Sequence, residues 1–239
     1  MTIVKKRISV CMATYNGEKY ISEQLESILS QLDKDDEVII SDDDSSDDTV
    51  NIINKLADKR IKIFKNDLDS GYTRNFENAI SKATGDYIFL SDQDDVWMDN
   101  KVELMLSKLQ TNDLVISDAL ISDGFLKPTL GSHFKIYKVK SGFLHNWLQT
   151  RYIGACMAFR KEILLKILPF PSKQSLCAHD YWIANVGEFY YKVGLIHQPL
   201  IKYRRHHSNA STGGTKSANS LSHKLTVRLY TLKELLKRI

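Results

Sequence analysis

Apolar positions in the first ninety residues come in short blocks that alternate between two periods. The run at 8–13, with Ile8, Val10, Cys11 and Met12, reads as a buried strand. Helical spacing follows over 18–32, where Tyr20, Ile21, Leu25, Ile28, Leu29 and Leu32 share one face. Residues 37–41 read as a second strand, and Ser46 or Asp47 as the cap of a helix carrying Val50, Ile53, Leu56 and Ala57. A third strand at 61–64, a third helix at 73–82 stopped by Gly85, and a fourth strand at 87–90 complete the series. Successive βα units of this length predict an α/β fold, a central and mostly parallel sheet with helices on both faces. In open sheets of that kind ligands bind beyond the carboxyl ends of the strands.

The second half is less regular. Residues 114–117 read as a strand, and 121–149 are poorly periodic and rich in aromatics and Gly. Residues 153–159 read as a strand leading into a helix at 161–168, which Pro169 and Pro171 end. His179 to Trp182 opens another helix, and 208–222, rich in Ser, Thr, Gly and Asn, reads as a flexible link to a last one. In that last helix Leu225, Leu229, Leu232, Leu236 and Ile239 form an apolar seam flanked by Lys224, Arg228, Lys237 and Arg238. Such a seam lies in an anionic membrane interface, or packs on its own domain or on a second copy as a homodimer.

Hydrophobic content of 43% and charged content of 26% over 239 residues suit a globular chain with one sizeable core. No apolar run approaches the roughly 18 to 20 residues that cross a bilayer, and the start does not read as a signal peptide. The expectation is a cytoplasmic protein, peripheral at most on the inner face of the membrane. Cys11, Cys156 and Cys177 are widely spaced and read as core fillers rather than zinc ligands or a disulfide framework. Charge is uneven: from residue 200 onward nine Lys or Arg face one acid, Glu234, whereas 33–48 hold nine acids against Lys34. That pattern fits a catalytic body with acidic pockets and a basic tail better than a nucleic-acid binder, which needs a basic groove near its binding face, so no nucleic-acid partner is expected.

The chemistry gathers at the strand exits. Thr14, Tyr15, Asn16 and Gly17 follow the first strand, Asp42, Asp43 and Asp44 the second, and Asp92, Gln93, Asp94 and Asp95 the fourth. Strand-end carboxylates are how a fold holds Mg²⁺ or Mn²⁺ against a diphosphate, the cation taking the rest of its shell from phosphate and water. The plainer alternatives are a solvated acidic turn and, for 42–48, a capped helix start.

These loops resemble family 2 glycosyltransferases, which have the GT-A nucleotide-diphospho-sugar fold. The resemblance runs over about 7–212 and rests on 13–17, on 41–49, on Gly71-Tyr72-Thr73-Arg74-Asn75, on 85–97, on His179-Asp180, and on Tyr203-Arg204-Arg205-His206. The 85–97 and 203–206 stretches are most similar to bacterial rhamnosyltransferase-type members that build surface polysaccharides. The resemblance implies a Rossmann-like three-layer domain at 1–212, with a nucleotide-binding half at 1–100 and an acceptor-binding half at 101–212. Residues 213–239 are then a link and a basic amphipathic helix.

It also implies an inverting transfer from a UDP- or dTDP-linked sugar to a hydroxyl of a glycan or lipid-linked acceptor. Thr14, Tyr15, Asn16, Asp43, Arg74, Asp92 and Arg204 would bind the donor, with Asp43 accepting from N3 of uracil or thymine. Asp92, Asp94, Asp95 and His206 would hold the metal, Asp94 foremost, and which of the three aspartates touches it directly stays open. Asp180 would take the acceptor proton, unless it is only a helix cap; Arg204, Arg205 and His206 would face the diphosphate, unless they are a basic surface loop. Asp44 stands where the family usually has glycine, which puts the local turn geometry in question. A nucleotidyltransferase would want a Gly-rich basic loop after the first strand, and a phosphatase an early nucleophilic Asp; neither is present. A nucleotide-sugar-binding module without transfer is the remaining alternative.

Overall fold

A computed structural model describes residues 6–206 and 220–239. Most of the link expected at 208–222, and the boundary placed at 212, lie outside the described residues.

The first four strands form where the apolar blocks stand: β1 (Ile8–Thr14), β2 (Glu37–Asp42), β3 (Ile61–Lys65) and β4 (Tyr87–Ser91). They pair in parallel in the order β3-β2-β1-β4. Their middles, Val10 to Met12, Val38 to Ile40 and Ile88 to Leu90, are inaccessible to solvent on both faces, as unbroken apolar runs require. Helices α1 (Ile21–Leu29), α2 (Thr49–Lys55) and α3 (Tyr72–Ser81) connect them. On α1 the buried stripe is Ile21, Leu25 and Ile28, each worth about 1.5–3 kcal/mol on burial, whereas α3 is buried nearly all round from Asn75 to Ile80. Connections run from β1 to β2 on one side and back to β4 on the other, so the crevice at the carboxyl ends lies beside β1.

The remaining strands are β5 (Val96–Trp97), β6 (Leu114–Ser122), β7 (Pro128–Ser132), β8 (Met157–Arg160) and β9 (Val193–Arg204). They extend the same sheet as β4-β8-β6-β9-β5, with β7 paired to β6. Here the pairing is mixed: β8 is antiparallel to β4 and β6, whereas β9 runs parallel to β6. The sheet is therefore continuous through both halves of an α/β fold, with α4 (Lys101–Leu109), α5 (His133–Tyr137), α6 (Phe143–Gln149), α7 (Leu164–Ile167) and α8 (His179–Tyr190) around it.

Several expectations are corrected. The first helix is shorter than 18–32; the strand expected at 153–159 is a 3-10 turn (Gly154–Cys156) followed by β8; and 161–168 is a 3-10 turn followed by the short α7. The poorly periodic stretch 121–149 contains the end of β6, β7, α5 and α6. All three cysteines are free and buried, and burial pushes the Cys156 and Cys177 thiols up to about 12.

The last helix, α9 (Leu221–Leu236), packs on the body, but through a face that adjoins the expected seam, so that Leu232 is half-buried while Leu225, Leu229, Leu236 and Ile239 stay exposed. Thr231 and Leu235 are fully buried, the Trp147 indole donates to the Arg228 carbonyl (3.0 Å), and the Tyr190 hydroxyl donates to the Leu235 carbonyl (2.5 Å).

Candidate active site

Three loops converge at the carboxyl ends of β1, β2 and β4, tied by side chains that reach the backbone. Gln93 accepts from the Tyr15 amide (3.0 Å) and donates to the Tyr15 carbonyl (2.9 Å), clamping the loop after β4 to the loop after β1. Gly17 leaves room for this: a Cβ there would lie 2.4 Å from the Gln93 amide oxygen. Asn16, itself at φ +47°, receives the Ser46 amide on its side-chain oxygen at 2.8 Å. The Thr14 hydroxyl, buried, donates to Asp42 at 3.2 Å, and the Thr14 carbonyl accepts from the Asp43 amide and from Asn75.

The loop after β2 is finished by hydrogen bonds. Asp42 accepts from the Ser45 hydroxyl (2.6 Å) and amide (2.9 Å), so it fixes the turn. Asp43 accepts from Asn66 (2.8 Å), the Ser70 hydroxyl (2.9 Å) and the Gly71 amide (2.8 Å). Against the cost of burial, these three donors hold its carboxyl below the usual range. Asp44 resolves the question of its missing glycine by adopting φ +66° itself, with its carboxylate 2.8 Å from Lys65.

The loop after β4 has the opposite character. Burial first, then the charges of Asp94 and Asp180, push the Asp92 carboxyl up to about 7. Asp95 is wholly buried and raised well above its ordinary value by burial and by Asp94 and Asp92. One of its oxygens accepts from the Arg204 amide at 2.9 Å, and the other is buried with no hydrogen-bond partner. Asp94 is met by His206, Nε2 to Oδ2 at 2.8 Å.

Among the described residues no group of three His, Cys, Asp or Glu side chains is assembled around one point. The donor set expected from Asp92, Asp94, Asp95 and His206 is thus not gathered as such: Asp95 is turned to the Arg204 backbone, while Asp94 and His206 stand together. A carboxylate with an imidazole suits Mn²⁺, and Mg²⁺ or Mn²⁺ beside a diphosphate needs few protein ligands, so the pair fits such a cation.

Two arginines expected at the donor are engaged elsewhere. Arg74 pairs with Glu77 and donates to the Phe170, Pro171 and Ser172 carbonyls, holding the segment before α8. The Arg204 side chain is buried, donating to the carbonyls of Asp94 and Gly124 (2.7 Å each) and to Glu23 (2.5 Å). It shapes the acidic loop from beneath.

Asp180 is the second residue of α8, whose cap is Ala178, so it is not the helix cap. It accepts from the Tyr181 amide at 2.7 Å, and its charge raises both Asp92 and Tyr72. His179 beside it is stacked on Phe76 (ring centroids 4.1 Å apart) and has neither ring nitrogen hydrogen-bonded. Burial lowers its pKa, against the opposing charge of Asp180.

One contributor escaped the sequence reading. Lys101, fully buried at the start of α4, donates to the Ala155 carbonyl (2.9 Å) and partly offsets Asp92 and Asp95, while burial lowers its pKa to about 8. A lysine at the first position of a helix opposes the macrodipole, and that was the available signal.

The family model described as Glycosyl transferase family 2 matches residues 9–168. The chain is 30% identical over 83% of its length to "dTDP-rhamnosyl transferase RfbG" of Shigella flexneri, covering 72% of that protein. It is 31% identical over 55% of its length to the Escherichia coli "UDP-Glc:alpha-D-GlcNAc-diphosphoundecaprenol beta-1,3-glucosyltransferase WfgD", covering 55% of it. Among solved structures, S. aureus TarS 1–349 in complex with UDP-GlcNAc superposes with a TM-score of 0.71 at 18% identity, over 97% of this chain and 72% of that one. Mannosyltransferase PcManGT from Pyrobaculum calidifontis, in complex with GDP-Man and Mn²⁺, gives 0.59 at 20% identity, over 82% of this chain and 56% of that one. The chain thus spans about half to three quarters of the length of the proteins it matches.

Proposed function

The chain belongs to glycosyl transferase family 2, and we propose that it moves a sugar, with inversion, from a UDP- or dTDP-linked donor to a hydroxyl of a glycan or lipid-linked acceptor of a bacterial surface polysaccharide. Relatives named for dTDP-rhamnosyl transfer and for glucosyl transfer to a diphosphoundecaprenol-linked sugar support the donor and acceptor classes. The observation that carries the reading is where α8 begins: His179 stacks on Phe76 of α3 (ring centroids 4.1 Å apart), and the charge of the neighbouring Asp180 is felt at Tyr72 and at Asp92 in the loop after β4. In this reading one crevice would hold both the acidic loop and a carboxylate able to serve as base.

In this reading the donor's base lies by Thr14 and Asp43, whose carboxylate accepts from N3–H of uracil or thymine. Asp94 and His206 would hold a divalent cation, which when bound offsets the charge of the leaving diphosphate. The acceptor hydroxyl gives its proton to Asp180 as its oxygen bonds to the anomeric carbon. The bond from that carbon to the diphosphate oxygen breaks, and its electron pair leaves on the nucleoside diphosphate. A carboxylate suffices as base because proton removal and attack are concerted.

Asp180→Asn keeps the shape and loses the acceptor of the proton. Transfer should fall by ~10² to 10⁴ with nucleoside diphosphate affinity near normal. Transfer within a few-fold of wild type would place the base elsewhere, and donor binding with no release of free nucleoside diphosphate by the unaltered chain would favour a binding module.

A further inference from the structure

α9 carries two apolar faces, and the body covers only one. Leu235 and Thr231 are buried, whereas Leu225, Leu229 and Leu236 expose 56%, 55% and 49% of their surface, and Ile239 exposes 83%. These residues recur at helical spacing, so the exposure is one continuous stripe along the docked helix. Cations stand beside it: a shallow surface depression is lined jointly by Leu229, Leu232, Lys233, Leu236 and Lys237. The helix's one acid, Glu234, is turned to the body side and nearly buried, paired with Lys237 at 2.7 Å. The outer face thus combines leucines with positive charge and no exposed carboxylate.

The neighbouring helix exposes leucines of its own. Leu148 of α6, 51% exposed, accepts from Arg228 through its carbonyl, and Leu144 one turn earlier is 68% exposed. No helix among the described residues is long and apolar enough to cross a membrane, so contact through this face would be interfacial.

We propose that the outer face of α9, extended by α6, docks on an anionic lipid bilayer, its leucines entering the headgroup boundary and its lysines meeting lipid phosphates. Charge complementarity selects this occupant: a second copy of the chain would bring the same lysines face to face. α9 also touches the segment leading into Asp180. The Tyr230 hydroxyl accepts from the Lys173 amide at 3.0 Å, and the Thr231 hydroxyl lies 3.7 Å from the Cys177 sulfur, three residues before the carboxylate. A surface that seats α9 therefore lies beside the element presenting the base, where an acceptor carried on lipid would be met. The docking surface itself does not depend on the transfer reading.

The test is sedimentation of the full chain with vesicles of phosphatidylglycerol or of phosphatidylcholine. Point substitutions are required, because ending the chain at Asn219 would strip Leu235 and Thr231 from the core. The unaltered chain should sediment with phosphatidylglycerol vesicles and be released by salt. Leu225→Gln, Leu229→Gln and Leu236→Gln together should weaken partitioning by about tenfold or more, and Lys224→Gln with Lys233→Gln should weaken it on phosphatidylglycerol alone. Uridine diphosphate affinity should be unchanged in both variants, which shows that they fold. Equal sedimentation of the unaltered chain and the leucine variant overturns the proposal. So does a chain that stays in the supernatant, and self-association abolished by the leucine changes would then assign the face to a second copy. Loss of transfer in Asp180→Asn is read separately, so either reading can fail alone.

Discussion

Two loops at the same edge of one sheet each carry three aspartates, and they are built on opposite principles. After β2, Asp42 and Asp43 are met by hydroxyl and amide donors, and Asp44 pairs with Lys65 in the left-handed region. After β4, the charge of Asp94 presses on buried Asp92 and Asp95, that of Asp92 presses on Asp95 as well, and one Asp95 oxygen is buried without a partner. The first loop is electrostatically complete before any ligand arrives. The second holds carboxylates at a cost that Lys101 only partly offsets. Composition alone does not distinguish them; the supply of N–H and O–H donors around each does.

The largest effect expected is on the second loop. Asp94→Asn should lower Mn²⁺-supported uridine diphosphate affinity by about 10- to 100-fold, while Asp44→Asn should leave it unchanged; equal losses measured by calorimetry would erase the distinction. Next comes stability of the first loop. Asp43→Asn replaces an acceptor of three bonds by a group with one acceptor oxygen, which should cost about 1–3 kcal/mol at neutral pH. Asp43 has a lowered folded pKa, so its contribution is complete above its unfolded value near ~4 and fades as pH falls through the folded one. The gap in melting temperature between wild type and Asp43→Asn should therefore narrow on acidification below about pH 4, and a gap that is constant with pH would show that the carboxylate charge is not what the donors hold.

Nucleotide choice is a finer probe of the same residue. Uridine and thymidine diphosphates should bind better than cytidine or guanosine diphosphates, because a cytosine N3 has no proton for Asp43; tight guanosine diphosphate binding would contradict this. The smallest effect is at Asp44. Asp44→Gly relieves a left-handed residue but frees the unfolded chain, so the two terms should nearly cancel, within about 0.5 kcal/mol. Asp44→Val should instead lose about 1–2 kcal/mol, as a β-branched residue pays in full for that conformation.

How far the sequence could be read follows the same divide. β1, β2 and β4 were legible because each is a short apolar run buried on both faces, and the three loops followed at once; β3 is instead an edge strand in which half-buried Ile61, Ile63 and Phe64 stand among exposed lysines. The pattern at 114–117 shows only the first half of β6, which runs on to Ser122 through Asp118, buried and accepting from Ser132 and from the Phe134 amide. β9 escaped because its pattern is broken by His197, Gln198 and Pro199, and the ladder with β6 shifts register opposite Pro199. α4 was legible in the spacing of Val102, Met105 and Leu109 and was overlooked.

At the site, Asp43, Asp94, His206 and Asp180 could be named from their motifs. Where Arg74 and Arg204 point could not, since carbonyls 96 and 80 positions away decide it. On α9 the leucine seam was the obvious packing face, but aromatic donors on α6 and α8 fix the helix by the adjoining face.

The contrast between a completed loop and one that awaits positive charge rests most directly on calorimetry of uridine diphosphate with the unaltered chain, with Mn²⁺ and then with chelator. A diphosphate brought to Asp92, Asp94 and Asp95 without a cation meets like charge. Affinity should therefore drop at least about tenfold under chelator; equal affinity in both conditions would contradict the account.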